Sequence, residues 1–185
     1  MQSIQRFVAV AKPICLGGPS LENMLKAMFS KCPLSKWLSI SAVIVIVDLY
    51  TKHLTQQAFV LGEKLTMTSF FDLVRYHNEG AAFSFLADAG GWQKWFFTAV
   101  SAIASIFILY LLKKHPTEKL FSLGLALVLG GALGNLYDRA TLGYVVDFLS
   151  LHVNGYYWPA FNVADSAITV GVGVLLLDSF ITKKG

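Results

Sequence analysis

The sequence predicts an all-α membrane protein with four transmembrane helices, a small extracytoplasmic β-rich cradle and both termini cytoplasmic. Three observations lead there. Four apolar runs, about 37–54, 95–112, 120–136 and 161–181, each reach or approach the ~17–25 residues that a helix needs to cross the hydrocarbon core. Hydrophobic residues make up 55% of the chain and charged residues only 14%, against ~25% charged in ordinary soluble domains, so much apolar surface has to be hidden in lipid. Finally, the basic residues stand at the ends of the apolar runs. A net charge of +4 placed this way reads as membrane topology and not as a nucleic-acid surface.

Residues 1–33 read as a basic, poorly ordered N-terminal extension, broken by Pro13, Gly17, Gly18 and Pro19. Its apolar patch at 7–11 is too short for the core of a secretory signal peptide. Met24 and Met28, just ahead of the first span, are alternative translation starts that an intact mass would distinguish. Cys15 and Cys32 have no metal-ligand neighbours at a useful spacing and read as free thiols on a reducing face. Residues 34–183 form the four-span membrane domain.

Orientation follows from Lys and Arg. One side collects the N-terminal bases with Lys36, then Lys113, Lys114 and Lys119, then Lys183 and Lys184. The other has Lys64, Arg75, Lys94 and Arg139, with Lys52 near the end of the first span. The richer side is cytoplasmic by the positive-inside rule, which puts loops 55–94 and 137–160 outside.

In the first span Asp48 and Lys52 are four residues apart and share a helical face, so they can pair within the membrane. Such a pair either only fixes helix packing or supports an outward-facing site. In the first outer loop, residues 65–77 have strand-like composition and end in the turn signal Asn78-Glu79-Gly80. A short apolar segment at 81–86 and a break at 88–91 follow, with Trp92 and Trp95 placed at the interface. The third span carries Gly124, Gly130, Gly131, Ala132 and Gly134, which let neighbouring helices approach closely. It ends in Asn135, Asp138 and Arg139, the last two reading as an anchoring and capping pair. Residues 144–151 read as a short strand, and Tyr156, Tyr157 and Trp158 as an aromatic belt. Pro159 suits the start of a helix, and Asn162 and Asp165 share a face in the first turns of span four.

Asp147 and Asp165 flank a connection long enough to fold back and bring them together. Two carboxylates held close at low dielectric share a proton, so one serves as base while the other remains an acid. That pair can activate water and polarise an amide carbonyl without a metal, cofactor or covalent intermediate. The histidines, His53, His77, His115 and His152, have no H-E-x-x-H spacing, and Ser84 and Ser166 lack a G-x-S-x-G context. His152 reads as a surface loop residue. From spacing alone three readings stay open: a peptidase, a proton-coupled transporter with Asp48, Asp138, Asp147 and Asp165 as a relay, and a non-catalytic assembly subunit.

Five blocks separate these readings. They are V-D-L-Y-T-K at 47–52, N-E-G-A-A-F-S at 78–84, G-G-A-L-G-N-L-Y-D-R at 130–139, V-V-D-F at 145–148 and F-N-V-A-D-S at 161–166. In this order, over roughly 37–181, the chain resembles the lipoprotein signal peptidases (signal peptidase II), bacterial intramembrane aspartic peptidases. The resemblance implies that Asp147 and Asp165 are the catalytic dyad. It implies that Asn78, Gly80, Asn135, Arg139 and Asn162 line or brace the site, and that Asp48, Lys52 and Asp138 support it. It further implies a substrate that is a diacylglyceryl-modified prolipoprotein, cut just before the lipidated cysteine, and inhibition by globomycin-type cyclic peptides. No cofactor and no nucleic acid are expected. Membrane lipid is the expected environment, and a monomer in the bacterial cytoplasmic (inner) membrane, with its site on the extracytoplasmic side, is the expected state. The N-terminal extension, about two dozen residues longer than expected, is where the chain departs from the family pattern.

Overall fold

A long apolar run in a bilayer has no water to satisfy its backbone, so it closes its hydrogen bonds internally as a helix. All four runs do so in the structure, a computed structural model that describes residues 33–80 and 92–182. The helices are α1 (Pro33–Ala58), α2 (Gln93–Lys114), α3 (Lys119–Thr141) and α4 (Val163–Thr182). Each is long and apolar enough to cross a membrane. The N-terminal extension, both cysteines, and the segment and break expected at 81–91 lie outside the described residues.

The glycine-rich α3 is the central helix. In its 18-residue apolar stretch 56% of the residues are buried, against 17% for α1, 17% for α2 and 11% for α4, so the other three surround it and turn their remaining faces outward. Small residues make this possible. A methyl group added at Gly124 would meet the Leu175 side chain, and one added at Gly171 the backbone of Gly124. One added at Gly131 would collide with the carbonyl of Ala164. At the far end of the bundle, Trp37, Ile108, Leu112, Leu125, Ala126 and Leu129 form the apolar core. There the Trp37 indole donates to the Pro116 carbonyl at 2.8 Å and Ser41 donates to the Ala126 carbonyl at 2.8 Å. Each bond removes a polar group from lipid.

At the opposite end the connections build an antiparallel sheet in the order β1 (Lys64–Thr66), β2 (Phe71–Asn78), β3 (Val145–Val153), β4 (Tyr156–Tyr157). Residues 65–77 thus divide into two strands, because the chain turns back between Thr66 and Phe71. The β3–β4 turn is Asn154-Gly155, both with positive φ (51° and 83°). That is the two-residue hairpin whose twist matches the flanking strands and which favours Asn-Gly. Arg75 ties the sheet to the bundle. Its guanidinium donates to the carbonyls of Gln56 (3.1 Å) and Phe59 (2.7 Å), which the end of α1 leaves unpaired.

Two details differ from the sequence reading. Span four begins at Val163, not at 161, because the Phe161 backbone pairs with Leu149 of β3 and extends the sheet. His152 is not a loop residue. It lies in β3 with its side chain mostly buried, 3.4 Å from Asp72.

Candidate active site

The start of α4 is where sheet and bundle meet. The first amides of a helix have no partner within it. Here Asn162 serves as the cap: its Oδ1 accepts from the Asp165 amide at 2.9 Å, while Asp165 Oδ2 accepts from the Asn162 amide at 3.2 Å. This is a reciprocal capping box built from Asn and Asp. Asn162 therefore stands just outside the helix, where the sequence reading placed it in the first turns. The next amide, of Ala164, donates at 2.8 Å to Asp48 Oδ1 of α1. An acid in mid-span on another helix thus completes the same cap.

Asp147 comes to this point from β3, whose register pairs it with Tyr76. Its carboxylate accepts one N–H at each oxygen: Asn162 Nδ2 to Oδ1 at 2.8 Å and Asn78 Nδ2 to Oδ2 at 3.0 Å. Asp165 is served the same way, by Asn135 Nδ2 to Oδ1 at 2.8 Å and by the Asn162 amide to Oδ2. Which way each amide points is settled at its other end. Asn78 Oδ1 accepts from the Gly80 amide (3.1 Å), Asn135 Oδ1 from Lys52 (3.0 Å), and Asn162 Oδ1 from the Asp165 amide. Each oxygen is held by a donor, so each NH₂ is left to face a carboxylate.

Asp147 is only 3% exposed. Burial, reinforced by the charge of Asp165, pushes its carboxyl up from 3.8 to about 7, against the pull of the amides of Asn78 and Asn162. The pair opens onto a cavity of about 1430 Å³, whose walls include Asn78, Gly80, Arg139, Asp147 and Asp165.

Behind the site lies a second cluster. Lys52 Nζ lies 2.7 Å from Asp48 Oδ2 and 3.0 Å from Asp138 Oδ2, and donates to Asn135. Lys52 thus makes two ion pairs and one hydrogen bond while only 2% exposed. Asp138 also accepts from the Val146 amide at 3.2 Å, next to Asp147. The sequence had joined Asp138 to Arg139. The structure turns Asp138 to Lys52 and Arg139 toward the cavity, with its guanidinium 5.7 Å from the Phe97 ring centre. At Gly134 a side chain would strike Asp48 Oδ2, so this glycine gives the buried acid its room.

All ten residues singled out in the sequence converge here, either on the dyad or on the Lys52 cluster behind it. The sequence reading missed the Ala164 amide, which carries no side-chain signal, and a polar group on the sheet around Asp72. The four acids do not line up as a relay, since Asp48 and Asp138 are both taken by Lys52. Among the described residues no group of His, Cys, Asp or Glu is placed to hold a metal ion.

This arrangement can be set against known proteins. Residues 40–181 match the family model described as signal peptidase (SPase) II. The lipoprotein signal peptidase of Paraburkholderia phytofirmans is 50% identical over 152 residues, covering 82% of this chain and 88% of its own. That of Janthinobacterium sp. (strain Marseille) is 54% identical over 142 residues, covering 77% and 86%. Among solved structures, a bacterial membrane enzyme determined by the in meso method at 2.3 Å resolution superposes with a TM-score of 0.72 at 28% identity, over 82% of this chain and 90% of that one.

Proposed function

The chain belongs to the signal peptidase II family, and on that footing we propose that it is an intramembrane aspartic endopeptidase. It removes signal peptides from diacylglyceryl-modified prolipoproteins, cutting just before the lipidated cysteine with a carboxylate-activated water. One observation carries this reading: two carboxylates from different elements, joined through Asn162, share a single open cavity.

Asp147, whose carboxyl is pushed up to about 7, holds the shared proton at neutral pH, and Asp165 is the base. Asp165 takes a proton from water as the water oxygen bonds to the scissile carbonyl carbon. Asp147 gives its proton to the carbonyl oxygen, leaving a neutral gem-diol. On collapse the diol returns a proton to Asp147, the C–N bond breaks, and the proton held by Asp165 goes to the departing amine. The products are the signal peptide's new carboxyl terminus and the free amine of the lipidated cysteine. The amides of Asn78, Asn135 and Asn162 keep the two carboxyls in register throughout. Arg139 offers positive charge to the same cavity.

The substrate's acyl chains lie against the outward apolar faces of the spans, where each buried methylene is worth ~0.8 kcal/mol. The basic residues at 113, 114 and 119 against the sparser opposite end support a cytoplasmic-membrane protein with the dyad on the extracytoplasmic side. Globomycin-type cyclic peptides are the expected inhibitors, and a monomer the expected unit.

The test is a gel-shift assay of the purified protein on a diacylglyceryl-modified precursor beside its unlipidated form. The wild type should cleave only the lipidated precursor. Asp147→Asn and Asp165→Asn should leave it intact while retaining the wild-type fold by circular dichroism. Processing by both variants would sink the assignment.

A further inference from the structure

All four strands contribute side chains to a second polar cluster, remote from the Lys52 group. Asp72 of β2 is fully buried. Lys64 of β1 approaches one of its oxygens at 3.6 Å and His152 of β3 the other at 3.4 Å. Lys64 Nζ also donates to the hydroxyl of Tyr157 of β4 at 3.2 Å, and the Tyr157 ring lies 4.9 Å from that of His152. Burial works to raise the Asp72 carboxyl, but the Thr66 hydroxyl, the Lys64 ammonium and His152 outweigh it and hold it below the ordinary carboxylate value. The mechanism above makes no use of this group.

Its polarity has a direction. The negative end, Asp72, is sealed inside the sheet, whereas Lys64 is 44% exposed. Lys64 and Tyr157 both line the cavity that holds Asp147 and Asp165. Lys64 donates one proton to Tyr157 and stands at ion-pair distance from Asp72, so its exposed ammonium keeps donor capacity for a ligand. The Tyr157 oxygen accepts from Lys64, so its own proton is free to point elsewhere. Two donors, one of them charged, converge on one corner of the cavity, and the chemistry they suit is a carboxylate.

The sheet register gives that corner a distance. Lys64 pairs with Val74, and Asp147 with Tyr76 two positions along the same strand. The β2 register shifts by one residue between Leu73 and Tyr76, so two strand spacings of ~4.8 Å and one to two residues of ~3.4 Å separate the Cα atoms by about 10–12 Å, the length of three to four residues of extended chain. The sheet lies beyond the ends of the spans. A peptide crossing it is the half of the substrate outside the bilayer, downstream of the cut.

We propose that Lys64, held by Asp72 and Tyr157, is a specificity-determining residue that takes an acidic side chain about three to four residues past the cleaved bond on the mature side. This rests on the peptidase reading above. The experiment uses the full-length enzyme in detergent and diacylglyceryl-modified peptides that differ only in carrying Asp, Asn or Lys at the third or fourth position after the cut. For the wild type, kcat/KM should favour Asp over Asn by about two- to fivefold, the upper part of the range for a partly exposed ion pair, through KM and not kcat. Lys64→Gln should bring that ratio to about one, Lys64→Arg should keep it, and Lys64→Glu should turn the preference toward Lys. A wild-type ratio near one, or a ratio that Lys64→Gln leaves unchanged, overturns the proposal while the peptidase reading stands. Failure of the wild type to cleave any of the lipidated peptides overturns the peptidase reading instead.

Discussion

Two pairs of carboxylates sit at one end of this bundle, and each pair is joined through a single residue. The Lys52 side chain joins Asp48 and Asp138, whereas Asn162 donates its side-chain NH₂ to Asp147 and its backbone N–H to Asp165. The first pair is bridged by a cation and is closed to solvent. The second pair is bridged by the side-chain and backbone N–H groups of a neutral residue, and it faces a cavity. A cation cancels the cost of burying two acids and fixes them. A neutral residue positions two acids without cancelling their charge, which the proposed mechanism relieves by a shared proton. On that proposal the difference in role between the two pairs lies in the bridging residue, not in the acids.

The sharpest way to break this comparison is to neutralise one acid of each pair. Asp147→Asn or Asp165→Asn should lower the cleavage rate by about 10³-fold or more, the scale of a lost general acid or base, with little loss of thermal stability. Asp48→Asn or Asp138→Asn should do the reverse, lowering the unfolding midpoint in detergent while leaving measurable cleavage. Equal losses of rate from all four would make the two pairs one functional unit.

Removing the cation comes next. Lys52→Met keeps the length of the side chain but leaves Asp48 and Asp138 buried against each other, a change of about 3–5 kcal/mol for a broken buried pair. Asn135 also loses its charged donor and keeps only the longer bond from Asn162 Nδ2 at 3.4 Å, so its amide is held less firmly against Asp165. Thermal unfolding and cleavage should therefore both suffer. A variant as stable as the wild type would mean that lysine is not what holds the rear pair.

How much of this was legible in the sequence depends on distance along the chain. The four spans could be read because lipid imposes a continuous apolar run on each helix by itself. Asp48 and Lys52 could be paired because one helical turn joins them. Asp138, by contrast, was assigned to its neighbour Arg139. Its partner Lys52 is on another helix, and nothing local distinguishes a carboxylate pointing forward from one pointing back. The spacing of Asn162 and Asp165 was visible, but its meaning was not. Three residues apart describes both two side chains on one helical face and a cap with its reciprocal acid, and the Phe161–Leu149 pairing that decides for the cap is a tertiary contact. The Asp72 cluster was wholly hidden, since it assembles residues from all four strands.

A smaller perturbation reaches the rear pair without touching its charges. Gly134→Ala would place a methyl group 2.6 Å from Asp48 Oδ2, and the acid, held by Lys52 and the Ala164 amide, has little freedom to retreat. Overpacking of this kind costs about 1–3 kcal/mol. Gly173→Ala in α4, where the added methyl meets nothing within 4 Å, is the matched control and should be neutral or slightly stabilising. If the two variants melt alike, the close packing at Gly134 is not what limits the cluster.

The smallest expected effect, per pH unit, tests where the shared proton sits. Asp147 titrates near 7 in the folded protein and near 3.8 ordinarily. The folded state therefore binds the proton more tightly, and the acid form favours folding. Its contribution is fully present below 3.8, is lost as the pH rises toward 7, and changes no further above that. The slope is at most ~1.4 kcal/mol per pH unit. Between pH 5 and 7 the unfolding midpoint of the wild type should fall, and Asp147→Asn should lack that part of the fall. Above 7, kcat/KM of the wild type should drop about tenfold per unit as the donor proton leaves. If the rate falls with that profile but the stability slope survives in Asp147→Asn and disappears in Asp165→Asn, the proton resides on Asp165. The acid and base roles proposed above are then exchanged, with the same two carboxylates.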